Sequence, residues 1–345
     1  MAPTVGRHMA NKTPLLLLGS HKSDLACNLR PKKPILPSYI NTPDILKPVL
    51  EIRQLTKQFG RRTAVNGLDM EVQPGTVYGL LGPNGSGKTT TLAMLLDIVK
   101  PTSGSFSWFG EAPNHESRKR LGAILETPNF YPYLSGYANL EIAASIKGAS
   151  PKRIPEVLEL VNLAERGNDK FRTYSLGMKQ RLSIASAILG NPEVLILDEP
   201  TNGLDPQGIA EVRGLIKRIA QDGTTILLAS HLLDEVQKVC THVAVLNQGK
   251  TVYSGAVEAV LGDAVAVDVA AKDLAKLEQA ARSFGATLNV KPLEEMLRVD
   301  LEVGTKPEDL NAHLIAQGIT LSHLAMVKQS LEHKFLELLA DSPAS

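Results

Sequence analysis

The chain is almost without cysteine: Cys27 and Cys240 are its two, far apart in 345 residues. That argues against a disulfide framework or a zinc site, and it fits a reducing compartment. Neither sign of charge is in excess, since the net charge is +1 with 21% charged residues. No global basic field therefore draws the protein to nucleic acid. No apolar stretch reaches the ~18 residues that a membrane span needs, and the longest leucine cluster is Leu15 to Leu18. If this protein serves a membrane, another chain supplies the spans. Internal repeats, low-complexity blocks and sustained heptads are missing as well. What is present is an ordinary globular composition, long enough for about two domains that each bury a core.

Residues 1–48 have a texture of their own. They hold seven of the 21 prolines, and Arg7, Lys12, Lys22, Arg30, Lys32, Lys33 and Lys47 face only Asp24 and Asp44. A basic, Pro-rich leader without apolar periodicity predicts disorder. It lacks the long apolar core and small-residue cleavage site of a secretory signal. Two alternatives stay open beside disorder: a weak membrane-surface contact, and initiation nearer Val49.

From Leu50 the pattern is globular. Leu50 to Leu55 and Leu68 to Val72 alternate as half-buried strands around the loop Lys57-Gln58-Phe59-Gly60-Arg61-Arg62. The apolar run Thr76 to Leu81 then enters Gly82-Pro83-Asn84-Gly85-Ser86-Gly87-Lys88-Thr89, and Thr89 to Ile98 leaves it with helical apolar spacing. Strand, Gly-rich turn, helix is the context of a phosphate-binding loop. Glycines let successive N–H groups converge on one point, and the helix N-terminus adds partial positive charge there. Lys88 is placed to pair with β- and γ-phosphates, and the Thr89 hydroxyl to ligate Mg²⁺. The sequence therefore predicts binding of a nucleoside triphosphate.

A second apolar run, Val194 to Leu197, ends in Asp198-Glu199, and a third spans Thr225 to Ala229. Both read as central parallel strands covered on two faces. A strand that delivers two carboxylates at its C-terminal end puts them where open α/β sheets keep ligands. Asp198 is a candidate for the metal shell, and Glu199 for orienting or deprotonating the attacking water. Strands at Ser103–Phe109 and Leu121–Leu125 and mainly helical spacing over 135–190 complete the α/β pattern. Between these motifs lies Tyr174-Ser175-Leu176-Gly177-Met178-Lys179-Gln180-Arg181-Leu182, at the mouth of an apolar-periodic helix. Ser175 and Gly177 can present a hydroxyl and bare N–H groups to an anion there, or Ser175 is a simple cap.

With these residues in view, 50 to about 262 resemble the ATP-binding cassette (ABC) family almost end to end. The resemblance implies an ATPase with ATP and Mg²⁺ as cofactors. It implies that Gly82, Pro83, Asn84, Gly85, Ser86, Gly87, Lys88, Thr89 and Thr90 hold the phosphates. Phe59 looks like the aromatic that stacks on adenine, with an apolar loop plug as the other reading. Ser175 and Gly177 match the signature motif, which completes the ATP site of the opposite subunit. Its family form Leu-Ser-Gly-Gly-Gln is here Tyr-Ser-Leu-Gly-Met. Asp205, in Asn202-Gly203-Leu204-Asp205, resembles the inter-subunit contact residue, and His231 the switch histidine that touches the γ-phosphate. The implied catalytic set is Glu199, His231 and Lys88, and the metal set Thr89, Glu126 and Asp198.

Glu126 is a departure, because the family normally places glutamine there. Together with Thr127-Pro128-Asn129-Phe130-Tyr131-Pro132-Tyr133-Leu134-Ser135 and the signature, it is similar to exporters for self-protection against bacitracin and lantibiotics. Phe130, Tyr131 and Tyr133 would lie where the family receives a coupling helix, as a docking anchor or buried in the helical subdomain. The resemblance implies integral-membrane permease partners, a homodimer or heterodimer of ATP-binding subunits, no nucleic acid, and a peripheral place on the cytoplasmic membrane face. An importer ATPase and a soluble, non-transport cassette protein are the alternatives to export.

Beyond Gly262, candidate strands at 264–270, 287–291, 296–303 and 319–326 alternate with helices at 271–284, 306–317 and 328–340. The order βαββαβ suggests a ferredoxin-like sandwich. Ser330 to Leu338 resembles the terminal helix of antibiotic-export ATPases. His313, His323 and His333 share no helix face by spacing. The expected organisation is a leader (1–48), an α/β P-loop NTPase core of ABC type with a helical subdomain (49–262), and a small α+β accessory domain (263–345).

Overall fold

The computed structural model describes residues 47–125, 129–261 and 265–327, together with 331, 332, 334 and 335. The expectations for the leader, Cys27, Glu126, His333 and most of the terminal helix lie outside the described residues. Strands β1 (Leu50–Phe59) and β2 (Arg62–Val72) form an antiparallel hairpin. Strand β3 (Val77–Leu81) runs into the glycine loop and helix α1 (Lys88–Leu95), and β4 (Ser103–Trp108) returns antiparallel to β1. Helix α2 (His115–Lys119) leads to β5 (Leu121–Ile124). Helices α3 (Gly136–Lys147), α4 (Ile154–Leu160) and α5 (Leu176–Ile188) fill the expected helical region. Then follow β6 (Val194–Asp198), α6 (Pro206–Gln221), β7 (Thr225–Ser230), α7 (Leu233–Gln237), β8 (His242–Asn247), β9 (Lys250–Ala256) and α8 (Val257–Leu261).

The central sheet has the order β5-β6-β7-β3-β8-β9, parallel except for β9. Alternation along its strands explains why they read as unbroken apolar runs. Val77, Leu81, Leu195, Leu197, Ile226 and Leu228 face the core shared with helices such as α3, α5 and α6. Their neighbours Tyr78, Leu80, Val194, Ile196, Leu227 and Ala229 face a second core, with β1, β2, α1 and Trp108. Both faces are thus dry, and burying each such aliphatic side chain contributes about 1.5–3 kcal/mol. Trp108 is 1% exposed, and its indole N–H donates to Leu95 O at 3.0 Å, so no polar group is stranded. Cys240 is buried against the same sheet, and burial raises its thiol far above the usual range.

The C-terminal part is β10 (Val265–Ala271), α9 (Leu274–Ser283), β11 (Thr287–Pro292), β12 (Leu297–Leu301), α10 (Pro307–Ala316) and β13 (Leu321–Val327). Its sheet order is β11-β12-β10-β13, antiparallel throughout, which is the ferredoxin-like arrangement expected from the sequence. Val267, Val269, Leu277, Val299 and Leu310 form a core of its own. Leu331 lies instead in the core under the central sheet, and its N–H donates to Gln237 Oε1 at 2.9 Å. The chain thus returns, after its last sheet, to α7.

Candidate functional site

The phosphate loop is built where two backbones come close. Gly87 holds φ 108°, and a Cβ on it would stand 2.5 Å from Ala64 O. A Cβ on Gly82 would stand 2.4 Å from both Leu246 O and Ser86 Oγ. Side chains at either place would push the loop off its seat between β2 and β8. The Ser86 hydroxyl is buried and makes no hydrogen bond, so the loop holds a polar group that the fold itself leaves unanswered. Lys88 is 5% exposed, and its ammonium donates to Gly82 O at 2.8 Å and to Pro83 O at 3.3 Å. Those carbonyls hold the charge over the loop rather than out in solvent.

The carboxylates arrive from β6, which runs parallel to β3 with β7 between them. Thr89 Oγ1 donates to Asp198 Oδ2 at 2.7 Å. Glu199 follows with φ 47°, a left-handed backbone that a non-glycine residue adopts at a cost of about 1–3 kcal/mol. Its N–H donates to Ala229 O at 2.9 Å, which anchors the turn to β7. One oxygen of its carboxylate lies 3.5 Å from Lys88 Nζ and the other 2.8 Å from His231 Nδ1. The structure therefore gathers Lys88, Thr89, Asp198, Glu199 and His231, taken from three separate motifs, at the C-terminal edge of the sheet. An open cleft of about 450 Å³ beside them is lined by Phe59, Arg62, Asn84, Lys88, Thr90 and Glu199, among others. Phe59 is 50% exposed there, with Lys57 Nζ 4.9 Å from its ring centroid, so it does not plug the core. Arg62, like Ala64, is a lining residue that sequence reading passed over. It stands opposite Phe59 only because of hairpin register.

The remaining predicted residues lie together elsewhere. Ser175, Gly177 and Asp205 line a second cleft of about 470 Å³, and no residue lines both clefts. Ser175 Oγ accepts from Met178 N at 3.2 Å and caps α5. Asp205 Oδ1 accepts from Gly208 N at 2.9 Å and caps α6. The aromatic run divides as well. Phe130 packs edge-on against Phe171 at 5.1 Å, whereas Tyr131 and Tyr133 are 49% and 65% exposed with rings 5.9 Å apart.

The oxygens of Thr89 and Asp198, side by side, are a donor set suited to a hard divalent cation next to a phosphate cradle. Comparison with known proteins agrees with this geometry. The model of the ABC transporter family matches residues 65–202. An ABC transporter ATP-binding protein of Bacillus subtilis strain 168, YhcH, is 37% identical over 303 residues, 86% of this chain and 98% of its own. The chain belongs to the ABC transporter ATP-binding proteins. It is an ATP-hydrolysing cassette, and the likeness extends through its C-terminal part. The bacitracin transport ATP-binding protein BcrA of Enterococcus faecalis is 44% identical over 213 residues, 60% of this chain and 69% of its own. A dimeric post-hydrolysis ATP-binding cassette bound to ADP and phosphate is 25% identical, with a TM-score of 0.54 over 61% of this chain and 99% of that one. Among the described residues, no helix is long and apolar enough to cross a membrane.

Proposed function

We propose that this cassette powers export of a peptide antibiotic, drug or lipid-like substrate through separate membrane subunits, from the cytoplasmic face of the membrane. The observation that carries the reading is Glu199, at the end of β6, between the cations or donors Lys88 and His231. The similarity to BcrA, which bears the name of a bacitracin transport protein, favours export over import or a soluble role. In this reading Phe59 stacks on the base, and Asn84 to Thr90 close on the phosphates. Lys88 moves from the carbonyls of its own loop to the phosphate oxygens, and Ser86 gains its missing partner. Thr89 and Asp198, with Glu126 as a further oxygen ligand, would hold Mg²⁺, which would supply neutralising charge to the phosphate chain. Glu199 takes the proton of the attacking water, and His231 orients that carboxylate through Nδ1. Ser175 and Gly177 of a second protomer cover the open side of the cleft, with Asp205 at the seam. Exposed Tyr131 and Tyr133 receive the membrane subunit.

Glu199→Gln tests the assignment, because it keeps the shape and removes the base. ATP binding should persist, and turnover should fall by about a hundredfold or more, the scale of a general base. Near-normal turnover in that variant would remove Glu199 from the role.

A further inference from the structure

The nucleotide cleft contains a cation that the five gathered residues do not include. In the β1–β2 hairpin, Phe59 and Arg62 are directly opposed across the turn that contains Gly60 at φ 57°. From there the guanidinium reaches toward the phosphate loop: Arg62 Nη2 lies 3.3 Å from the point a Cβ on Gly85 would occupy. Arg62 also lines the cleft with Lys88, Thr89 and Thr90. It makes no ion pair or hydrogen bond with a described residue, unlike Arg120, which forks onto Glu193, or Arg298, which forks onto Asp268. The carboxylate that shares this cleft, Glu199, is already engaged by Lys88 and His231. Two cations therefore flank one loop, and the second has no anion of its own among the described residues.

We infer that Arg62 binds the phosphate chain of the nucleotide, closing the hairpin tip over the loop while Phe59 holds the base. The inference rests on the nucleotide reading of this cleft. A planar guanidinium forks onto phosphate oxygens, and Arg62 holds one beside the loop that would cradle them. One hairpin would then grip both ends of the ligand, since its turn fixes the spacing of ring and cation. Being exposed, Arg62 can be replaced without disturbing the core.

The experiment is ADP titration of the full chain at low and high salt, with Arg62→Ala, Arg62→Lys, Phe59→Ala and Lys88→Ala. Arg62→Ala should raise the ADP Kd about tenfold at low salt, the scale of one charge-assisted hydrogen bond. The loss should shrink at high salt, because an exposed charge contact is screened. Arg62→Lys should recover only part of it, because an ammonium keeps the charge and loses the fork, and the Phe59→Ala loss should depend little on salt. Unchanged ADP affinity in Arg62→Ala, or a loss equal at both salt levels, overturns the proposal. Unchanged affinity in Lys88→Ala would instead overturn the reading of the cleft itself.

Discussion

Glu199 adopts a backbone that its type disfavours, at φ 47°, and its two oxygens reach a lysine and a histidine from different elements. Strain held in place by hydrogen bonds on both sides is the mark of a position shaped for work rather than stability. The sequence carried most of this residue-level information, because loop, acidic pair and histidine each end a strongly apolar strand. Arg62 was illegible for a definite reason: its place beside the loop depends on which residue it faces across the hairpin. Ser86 was named only as part of the loop, and its unanswered hydroxyl is a fact of burial. The metal reading is tested at this scale by Thr89→Val, which nearly keeps volume and deletes the hydroxyl bonded to Asp198. Mg²⁺ should then strengthen ATP binding about tenfold less than in the parent, while binding in EDTA stays unchanged. Equal Mg²⁺ dependence in both proteins would take Thr89 out of the metal shell.

Elements show where pattern reading succeeds and where it stops. Strands β3, β6 and β7 were legible as buried runs, and α9 and α10 as helices between alternating strands. Residues 232–262 received no assignment, yet they hold the hairpin β8–β9. Its two-residue turn is Gln248-Gly249, with φ of 48° and 82°. Such a turn usually announces itself by Asn-Gly or Asp-Gly, and glutamine hides the signal. Helix α5 offers the sharper test. A Cβ on Gly177 would meet only Gly208 Cα at 3.9 Å and Leu204 Cδ2 at 4.0 Å, which is ordinary contact. Nothing among the described residues therefore requires glycine at that place. Gly177→Ala should leave the melting temperature unchanged or raise it, since glycine in a helix costs roughly 0.5–1 kcal/mol relative to alanine. Turnover should nonetheless fall about tenfold or more, because the added methyl stands where bare N–H groups approach a phosphate of the facing protomer. A variant with normal turnover would show that the second cleft faces no nucleotide.

Two clefts on one chain, without a shared lining residue, make a statement about the whole molecule. A nucleotide resting on Lys88 leaves the face with Ser175 unused, and two protomers related head to tail satisfy both faces twice. The solved cassette dimer with ADP and phosphate has this family's fold, and its likeness covers 61% of the present chain. Closure should be driven by the triphosphate, since Ser175 Oγ and Asp205 Oδ1 each accept a backbone N–H of their own chain and the serine O–H left over suits a phosphate. Neither residue supplies attraction for an empty partner, so the pair should open when the terminal phosphate leaves. Glu199→Gln separates these states, because it retains Lys88, Thr89 and the signature face while stopping hydrolysis. With ATP and Mg²⁺, its mass in solution should double, and with ADP it should return to that of one protomer. Light scattering or analytical ultracentrifugation reads this directly, for the chain alone and for the chain in detergent with its membrane subunits. A hydrolysis-deficient protein that stays single at saturating ATP in both settings would leave Gly177, Ser175 and Asp205 without the partner that explains them.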